Sequence, residues 1–399
     1  MKISPGQIFK GDRIVWIVLV LLSLISLLIV YSATGKLAFR EAGGNTGYYL
    51  VRQTVFILLG FGIMAFLVHI IPVKLYFLIS PALIFLTIVA LIAAVIQFKL
   101  SSTKPTPRSL DLGLINFQPA ELAKISLVMF ASRMLSKYQK TKKDLRYAFF
   151  WVTGVSAFVC AIIFYGDIST SALIFGSIMV LMLIARVPFK FFALLVGAGI
   201  LMGTLLFFTA DLMPASWGRV HTFKERIVDF AFGDDDAEKG TTQADYAKLA
   251  IYEGGTLGKG PGSSEVSNYM EAGYNDFIFA IIIEEYGFLG GTALVLLYMI
   301  FLFRGVAIVR KSSRTFPAFM VAGLVVMIVF QATINMAVSV GVVPVTGQPL
   351  PWVSMGGTSM LFTAIAFGAI ISVSAHNNKQ KNAEDNLVMI DAPDEDQAL

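Results

Sequence analysis

The feature that most constrains this chain is a series of long apolar blocks, of which "IVLVLLSLISLLIV" (Ile17–Val30) is the first. About 20 apolar residues in helical form span the roughly 30 Å hydrocarbon core of a bilayer. Lipid offers the backbone no hydrogen-bonding partners, so a spanning segment must satisfy its own amides, which helices do. Strands of a membrane barrel would instead show alternation over roughly 10 residues, and the blocks do not alternate. Composition agrees: of 399 residues, 56% are hydrophobic and 14% charged, against about 25% charged in a soluble domain. The expectation is an all-α integral membrane protein.

The blocks divide into about ten spans: 14–33, 54–71, 75–96, 119–135, 148–164, 168–185, 189–210, 276–303, 316–341 and 354–374. Pro72 and Pro188 mark tight turns between neighbours. The first block is full length and reads as a retained span rather than a cleaved signal. One ten-helix domain thus covers residues 1–376, followed by a polar tail, 377–399, that reads as disordered. The net charge of +5 is concentrated in short loops, which points to topology and not to nucleic acid. Lys2, Lys10 and Arg13, the cluster from Lys137 to Arg146, the pair Arg186 and Lys190, and the group from Arg304 to Arg314 then share the cytoplasmic side, with both termini. Residues 34–53, 97–118 and 211–275 face outward, the last being a large extracytoplasmic loop in which aromatics and an amphipathic stretch near 246–252 predict partial order. The single cysteine, Cys160, excludes an intramolecular disulfide and reads as packing.

Polar residues in such surroundings are expensive, and each is a functional candidate weighed against a structural ion pair or cap. In "FQPAELAK", Glu121 and Lys124 are three residues apart and share a helix face, so they can pair; Arg108 precedes them at the outer surface. Asp167 and Asp276 each stand where a span begins, a position that capping alone would also favour. Glu284 and Glu285 lie about 12 Å deeper along the same helix as Asp276, at 1.5 Å per residue. Adjacent helix positions point about 100° apart, so at least one of the two is expected to bond to a neighbouring helix. "GGTLGKGPGSS" (Gly254–Ser264) carries Lys259 among glycines that permit tight turns or the approach of an anion; the glycine after the lysine rules out a Walker A loop. "PVTGQPLPWVSMGGTS" (Pro344–Ser359) reads as a re-entrant segment before the last span, with Pro344, Gly347, Pro349, Ser354, Gly356 and Gly357 shaping a cavity wall.

Taken together these segments resemble the SEDS family (shape, elongation, division, sporulation), which includes RodA and FtsW. "FQPAELAK" is similar to that family's FQPSELAK, "GDISTSAL" to its PDLGTAL, "NDFIFAIIIEEYGFLG" to its TDFIFAIIGEELGLVG, and the segment from Ile334 to Ser359 to its IN-GLLPVTGIPLPFISYGGSS pattern. "LIVYSAT" closing the first span is nearer the FtsW branch than the RodA branch. The resemblance implies a peptidoglycan glycosyltransferase of the bacterial inner membrane. It would polymerise lipid II at the division septum with a class B penicillin-binding transpeptidase, other division proteins and membrane lipid as partners. The acceptor GlcNAc 4-hydroxyl would attack the donor MurNAc anomeric carbon, with undecaprenyl pyrophosphate leaving.

By the same resemblance Asp276 is the essential aspartate, acting as general base, and Glu121 and Lys124 are a charged pair in a nearby membrane cavity. Asp167 matches the aspartate of PDLGTAL. Arg108, Lys124 and Lys259 are candidate cations for the pyrophosphate, with a divalent ion (Mg or Mn) as the other possibility; no resident cofactor is assigned. The chain departs from the family pattern at Tyr274-Asn275, at Gly166 and Ser169, and at Ser109. A lipid II flippase, a RodA-like elongation polymerase and a non-catalytic scaffold are the competing readings. Only a polymerase needs a general base outside the membrane.

Overall fold

The computed structural model describes residues 10–41, 43–100, 109–111, 116–212, 218–232, 242–270 and 273–391. Among them the chain forms α1 (Arg13–Ala33), a short α2 (Gly35–Glu41), α3 (Thr46–Ile70), α4 (Val73–Leu100), α5 (Pro119–Lys137), α6 (Lys142–Phe164), α7 (Ile168–Ile184) and α8 (Phe189–Thr209). Then come α9 (Gly218–Phe232), α10 (Gln243–Gly254), α11 (Ile278–Arg310), α12 (Thr315–Ser339) and α13 (Thr358–Asp391). Strands β1 (Leu110–Asp111) and β2 (Asn116–Phe117) pair antiparallel, Leu110 opposite Phe117, between α4 and α5.

A helix occupies each of the ten expected blocks, and eight of those helices are long and apolar enough to cross a membrane. The other two are α5, which carries Glu121 and Lys124, and α7, which is only 17 residues long. Helix α12 is the centre of the bundle, with 67% of its apolar window buried, whereas α8 has only 6% buried and turns its apolar surface outward on almost every side. α13 is helical to Asp391, beyond the apolar run and into the segment from which the sequence predicts a structureless tail; residues 392–399 lie outside the described residues. In the large loop, the amphipathic stretch becomes α10. Thr242 and Asp245 form a capping box at its start, each side chain accepting from the other's backbone amide.

One helix departs from its expected form. α11 breaks at Gly287, whose φ of 68° and ψ of −172° are open to glycine and not to a residue with a side chain. The break frees backbone groups at both cut ends, and the glycine-rich loop satisfies them. Lys259 N–H and Gly260 N–H donate to the carbonyls of Glu284 and Glu285, both at 2.9 Å. Phe288 N–H and Leu289 N–H donate to the carbonyls of Gly255 and Thr256 at 2.9 and 3.3 Å. The approach leaves no room for side chains: a Cβ on Gly258 would lie 2.2 Å from the Glu285 carbonyl oxygen, and one on Gly254 2.1 Å from that of Ile283. The Lys259 and Gly260 amides are thus committed to the broken helix, and those of Gly262 and Ser264 to the carboxylate of Glu285 on that helix. Gly254 and Gly258 are there because backbone meets backbone, and Gly255, Gly260 and Gly262 because the turns need positive φ.

A carboxylate-lined cavity as the candidate active site

Asp276 stands just before α11, in a turn. Phe277 is the helix's N-cap residue, so Asp276 stands one position before the cap. The carboxylate faces a cavity with some 1030 Å³ of empty space, counted out to its open mouth. Glu121 and Gln118 from the start of α5, Asp167 and Thr170 from the start of α7, and Gly347, Gln348, Pro349, Gly356 and Gly357 from the segment before α13 share its wall. Three carboxylates from three places in the sequence therefore meet one space.

The wall opposite Asp276 is the non-helical run from Pro344 to Gly357. Irregular backbone inside a bundle needs partners for its polar groups, and this run draws them from many helices. Arg226 of α9 donates to the Val345 carbonyl (2.9 Å), Asn335 of α12 to that of Gln348 (2.7 Å), and Gln331 of α12 to that of Pro349 (2.8 Å). Tyr298 of α11 donates to the Pro351 carbonyl, and Ser26 of α1 to that of Val353 (2.8 Å). Trp352, at a φ of 69°, sends its indole N–H to the Ser23 hydroxyl (2.8 Å) and lies against Gly60, where a Cβ would come within 2.5 Å of the ring. Ser354 binds the wall to the Asp276 turn: its hydroxyl donates to the Asn275 carbonyl (2.7 Å) and accepts from Leu350 N–H (2.8 Å). Gly347 comes so close to Asp276 that a Cβ there would lie 3.5 Å from Oδ2. Pro344 lines a separate, apolar recess beside α7 and α9, instead of the cavity itself.

Behind the wall runs a chain of buried polar groups. Lys124 Nζ reaches Glu121 Oε1 at 2.8 Å and donates to Gln331 Oε1 at 2.9 Å. Gln348 Nε2 donates to the Thr170 hydroxyl (2.7 Å). Of the Glu121–Lys124 pair only the carboxylate lines the cavity; the ammonium lies deeper and joins α5 to α12. Gln331, Asn335 and Gln348 are uncharged, and the search for ionisable residues passes over them. The available signal is that Gln331 and Asn335 are four apart, hence on one face of an otherwise apolar helix.

The remaining candidates fall elsewhere. Asp167 caps α7, accepting from Thr170 N–H at 3.1 Å, while also lining the cavity. Glu284, fully buried, bonds to the loop and not to a neighbouring helix: it accepts from Glu265 N–H (3.0 Å), Val266 N–H (3.3 Å) and the Ser264 hydroxyl. Glu285 accepts from the Ser32 hydroxyl of α1, the inter-helix contact the sequence predicts for at least one of the two. Lys259 does not line the Asp276 cavity. Its ammonium is held by Glu253 and, at 3.4 Å, by Glu284, and the hydrogen bond to Glu253 is the main cause that raises its pKa above the ordinary lysine value. The expected role of Lys259 as a cation for the pyrophosphate is corrected accordingly: one carboxylate from α10 and one from the broken helix already engage it. Arg108 lies outside the described residues. No three His, Cys, Asp or Glu side chains converge as a metal cluster among the described residues. Asp276, Asp167 and Glu121 share a cavity without forming a ready-made cage.

The model of a family described as "Cell cycle protein", covering FtsW, RodA and SpoVE, matches residues 12–379. A "Probable peptidoglycan glycosyltransferase FtsW" from Polynucleobacter necessarius is 31% identical over 94% of this chain and 88% of its own length. "Stage V sporulation protein E" of Bacillus subtilis is 29% identical (92% and 97% covered), and "Peptidoglycan glycosyltransferase MrdB" of Escherichia coli 28% (94% and 98%). Among solved structures, a chain of a peptidoglycan synthase complex matches with a TM-score of 0.71 at 21% identity, covering 92% of this chain and 98% of that one. RodA of Thermus thermophilus matches at 0.61 and 20% (91% and 96%). These two likenesses concern the fold.

Proposed function

Because this chain belongs to the FtsW/RodA/SpoVE family of cell cycle proteins, we propose that the cavity is where a peptidoglycan glycosyltransferase joins lipid II units, with Asp276 as general base. The observation that carries this is the position of Asp276: it lines an open cavity together with Glu121, Asp167 and the backbone of the Gly347–Pro349 wall. A sugar hydroxyl is a poor nucleophile at neutral pH. A carboxylate in contact with the acceptor GlcNAc 4-hydroxyl takes its proton as the oxygen attacks the donor MurNAc anomeric carbon, an assistance worth roughly 10²–10⁴-fold. The bond to undecaprenyl pyrophosphate breaks as the new glycosidic bond forms, and the leaving group carries away the electron pair. Glu121 and Asp167 hold the shape and charge of the wall, with Lys124 offsetting Glu121.

A divalent ion, if one takes part, receives few ligands from this chain. Mg²⁺ characteristically keeps several waters and binds through one or two carboxylates plus substrate phosphates, and the donors at hand fit that mode. Such an ion would neutralise charge on the pyrophosphate; Asp276 or Asp167 is the group placed to hold it.

The chain is a multi-pass membrane protein of the inner membrane by helix content and family. We propose that the Asp276 end of the bundle faces outward, that both termini are cytoplasmic, and that the protein acts at the septum beside a class B penicillin-binding transpeptidase. The "LIVYSAT" segment supports the division role. The FtsW, SpoVE and MrdB relatives are 31%, 29% and 28% identical, so identity alone hardly separates the branches. Purified protein with its cognate transpeptidase, given lipid II, is expected to make glycan strands that Asp276→Ala does not. Equal polymer from the variant would overturn the assignment. Depletion is expected to give filaments; rounded cells would move the protein to elongation.

A further inference from the structure

The segments that flank the Asp276 carboxylate arrive from far apart in sequence: the turn before α11 and the non-helical wall before α13. Ser354 joins them from the wall itself, through the Asn275 carbonyl, and a side chain from a third element joins them at Asp276. Asn335, on the central helix α12 and buried to 1% exposure, donates from Nδ2 to the main-chain carbonyl of Asp276 at 2.9 Å and to that of Gln348 at 2.7 Å. Both partners are carbonyls, which can only accept, so the network fixes which end of the amide points at them. Gln348 follows Gly347, where a Cβ would lie 3.5 Å from Asp276 Oδ2. The same amide group thus sets the base's own backbone and the wall that the base faces.

We infer that Asn335 is a positioning residue for glycosyl transfer, holding Asp276 at a fixed distance from the Gly347–Gln348 wall. This rests on the reading of Asp276 as general base. The physical reason is strict: a base works only within hydrogen-bond reach of the proton it takes, and misplacement by about 1 Å can cost about 100-fold. Gln331, one turn earlier on α12, holds the Pro349 carbonyl (2.8 Å), and Ser354 holds that of Asn275 (2.7 Å), so losing Asn335 leaves both segments in place and loosens the Asp276 residue between them. The expected consequence is a base that wanders while the cavity still admits substrate.

The test is steady-state polymerisation of lipid II by the full-length chain with its cognate transpeptidase. Asn335→Ala and the near-isosteric Asn335→Asp are compared with Ser339→Ala and Asp276→Asn. A carboxyl group supplies at most one hydrogen, so Asn335→Asp cannot serve both carbonyls. Ser339 is buried on the same helix and donates only to the Asn335 carbonyl (3.0 Å), within the helix backbone. Both Asn335 variants are expected to lose roughly 10- to 100-fold in kcat with KM within about twofold, the pattern of an interaction realised in the transition state. Ser339→Ala should keep wild-type kcat. If Asn335→Ala does not fold, Asn335→Asp carries the comparison. Wild-type kcat in the Asn335 variants, or a KM increase with kcat unchanged, would overturn the inference while an inactive Asp276→Asn leaves the base assignment standing. An active Asp276→Asn would remove the reading on which both depend.

Discussion

Lys124 Nζ and Glu121 Oε1 meet at 2.8 Å on one face of α5, with side-chain exposures of 4% and 11%. Neither charge has enough water to stand alone. Removing one partner of a buried pair costs about 3–5 kcal/mol, because the other is left uncompensated, whereas replacing both with groups of similar volume is often close to neutral. Glu121→Gln and Lys124→Met should each lower the unfolding midpoint of the detergent-purified protein strongly, and the double variant should recover most of it. Additive losses in that double-mutant cycle would show that the pair is not coupled.

Gly287 holds the break in α11 in a backbone conformation open to glycine alone. A Cβ there would lie 2.3 Å from the Thr256 carbonyl oxygen, and the φ of 68° already disfavours any side chain. Gly287→Ala is therefore expected to destabilise by several kcal/mol, outweighing the roughly 0.5–1 kcal/mol by which alanine ordinarily improves on glycine in a helix. It should also loosen the glycine loop from α11. Gly203→Ala on α8 is the control: nothing lies within 4 Å of its Cβ position. Thermal unfolding of both variants checks this, and equal midpoints would mean that the clasp between loop and broken helix is not tight in solution.

That clasp also marks where sequence reading stops. Apolar length revealed the helices, because each must satisfy its own backbone in lipid. Proline and glycine density revealed the wall from Pro344 to Gly357, because no helix tolerates that composition. The break at Gly287 left no comparable mark. Gly287 lies within an apolar run that continues on both sides, and its partner is backbone some thirty residues earlier. A lysine among glycines suggested an anion, yet Lys259 N–H and Gly260 N–H donate to helix carbonyls. The Asp276 cavity was legible through its carboxylates; the amides of Gln331, Asn335 and Gln348 carry no charge to draw attention, and their roles come from contacts between α12 and a wall formed later in the chain.

Acid should loosen the start of α10 before it affects the bundle. The Thr242 hydroxyl donates to the Asp245 carboxylate, and this is the main cause that holds the Asp245 pKa below its ordinary value. A carboxylate with a depressed folded pKa contributes stability above its unfolded pKa of about 3.9 and loses it as pH falls through the folded value. The side chain is 44% exposed, so the effect is local and modest. Amide exchange at 243–247 should accelerate in the wild type as pH drops below about 4, after correction for intrinsic rates. Asp245→Asn should show no such step, and Thr242→Ala should weaken the helix start by about 1 kcal/mol at every pH. An identical acid step in wild type and Asp245→Asn would reject the capping box as its source.

Metal content separates a resident ion from one that travels with the substrate. No cluster of three His, Cys, Asp or Glu side chains occurs among the described residues, and carboxylates in ones and twos hold Mg²⁺ weakly without phosphate oxygens to complete its shell. Protein purified through EDTA should carry well under one divalent ion per chain by mass spectrometry, and keep its unfolding midpoint. If polymerisation needs a divalent ion, Mg²⁺ or Mn²⁺ added together with lipid II should restore it fully. Asp276→Asn should not be rescued by raising either ion. A stoichiometric ion that survives EDTA, or a midpoint that falls when it is removed, would place a structural metal in this chain and contradict the open, few-ligand arrangement of the cavity.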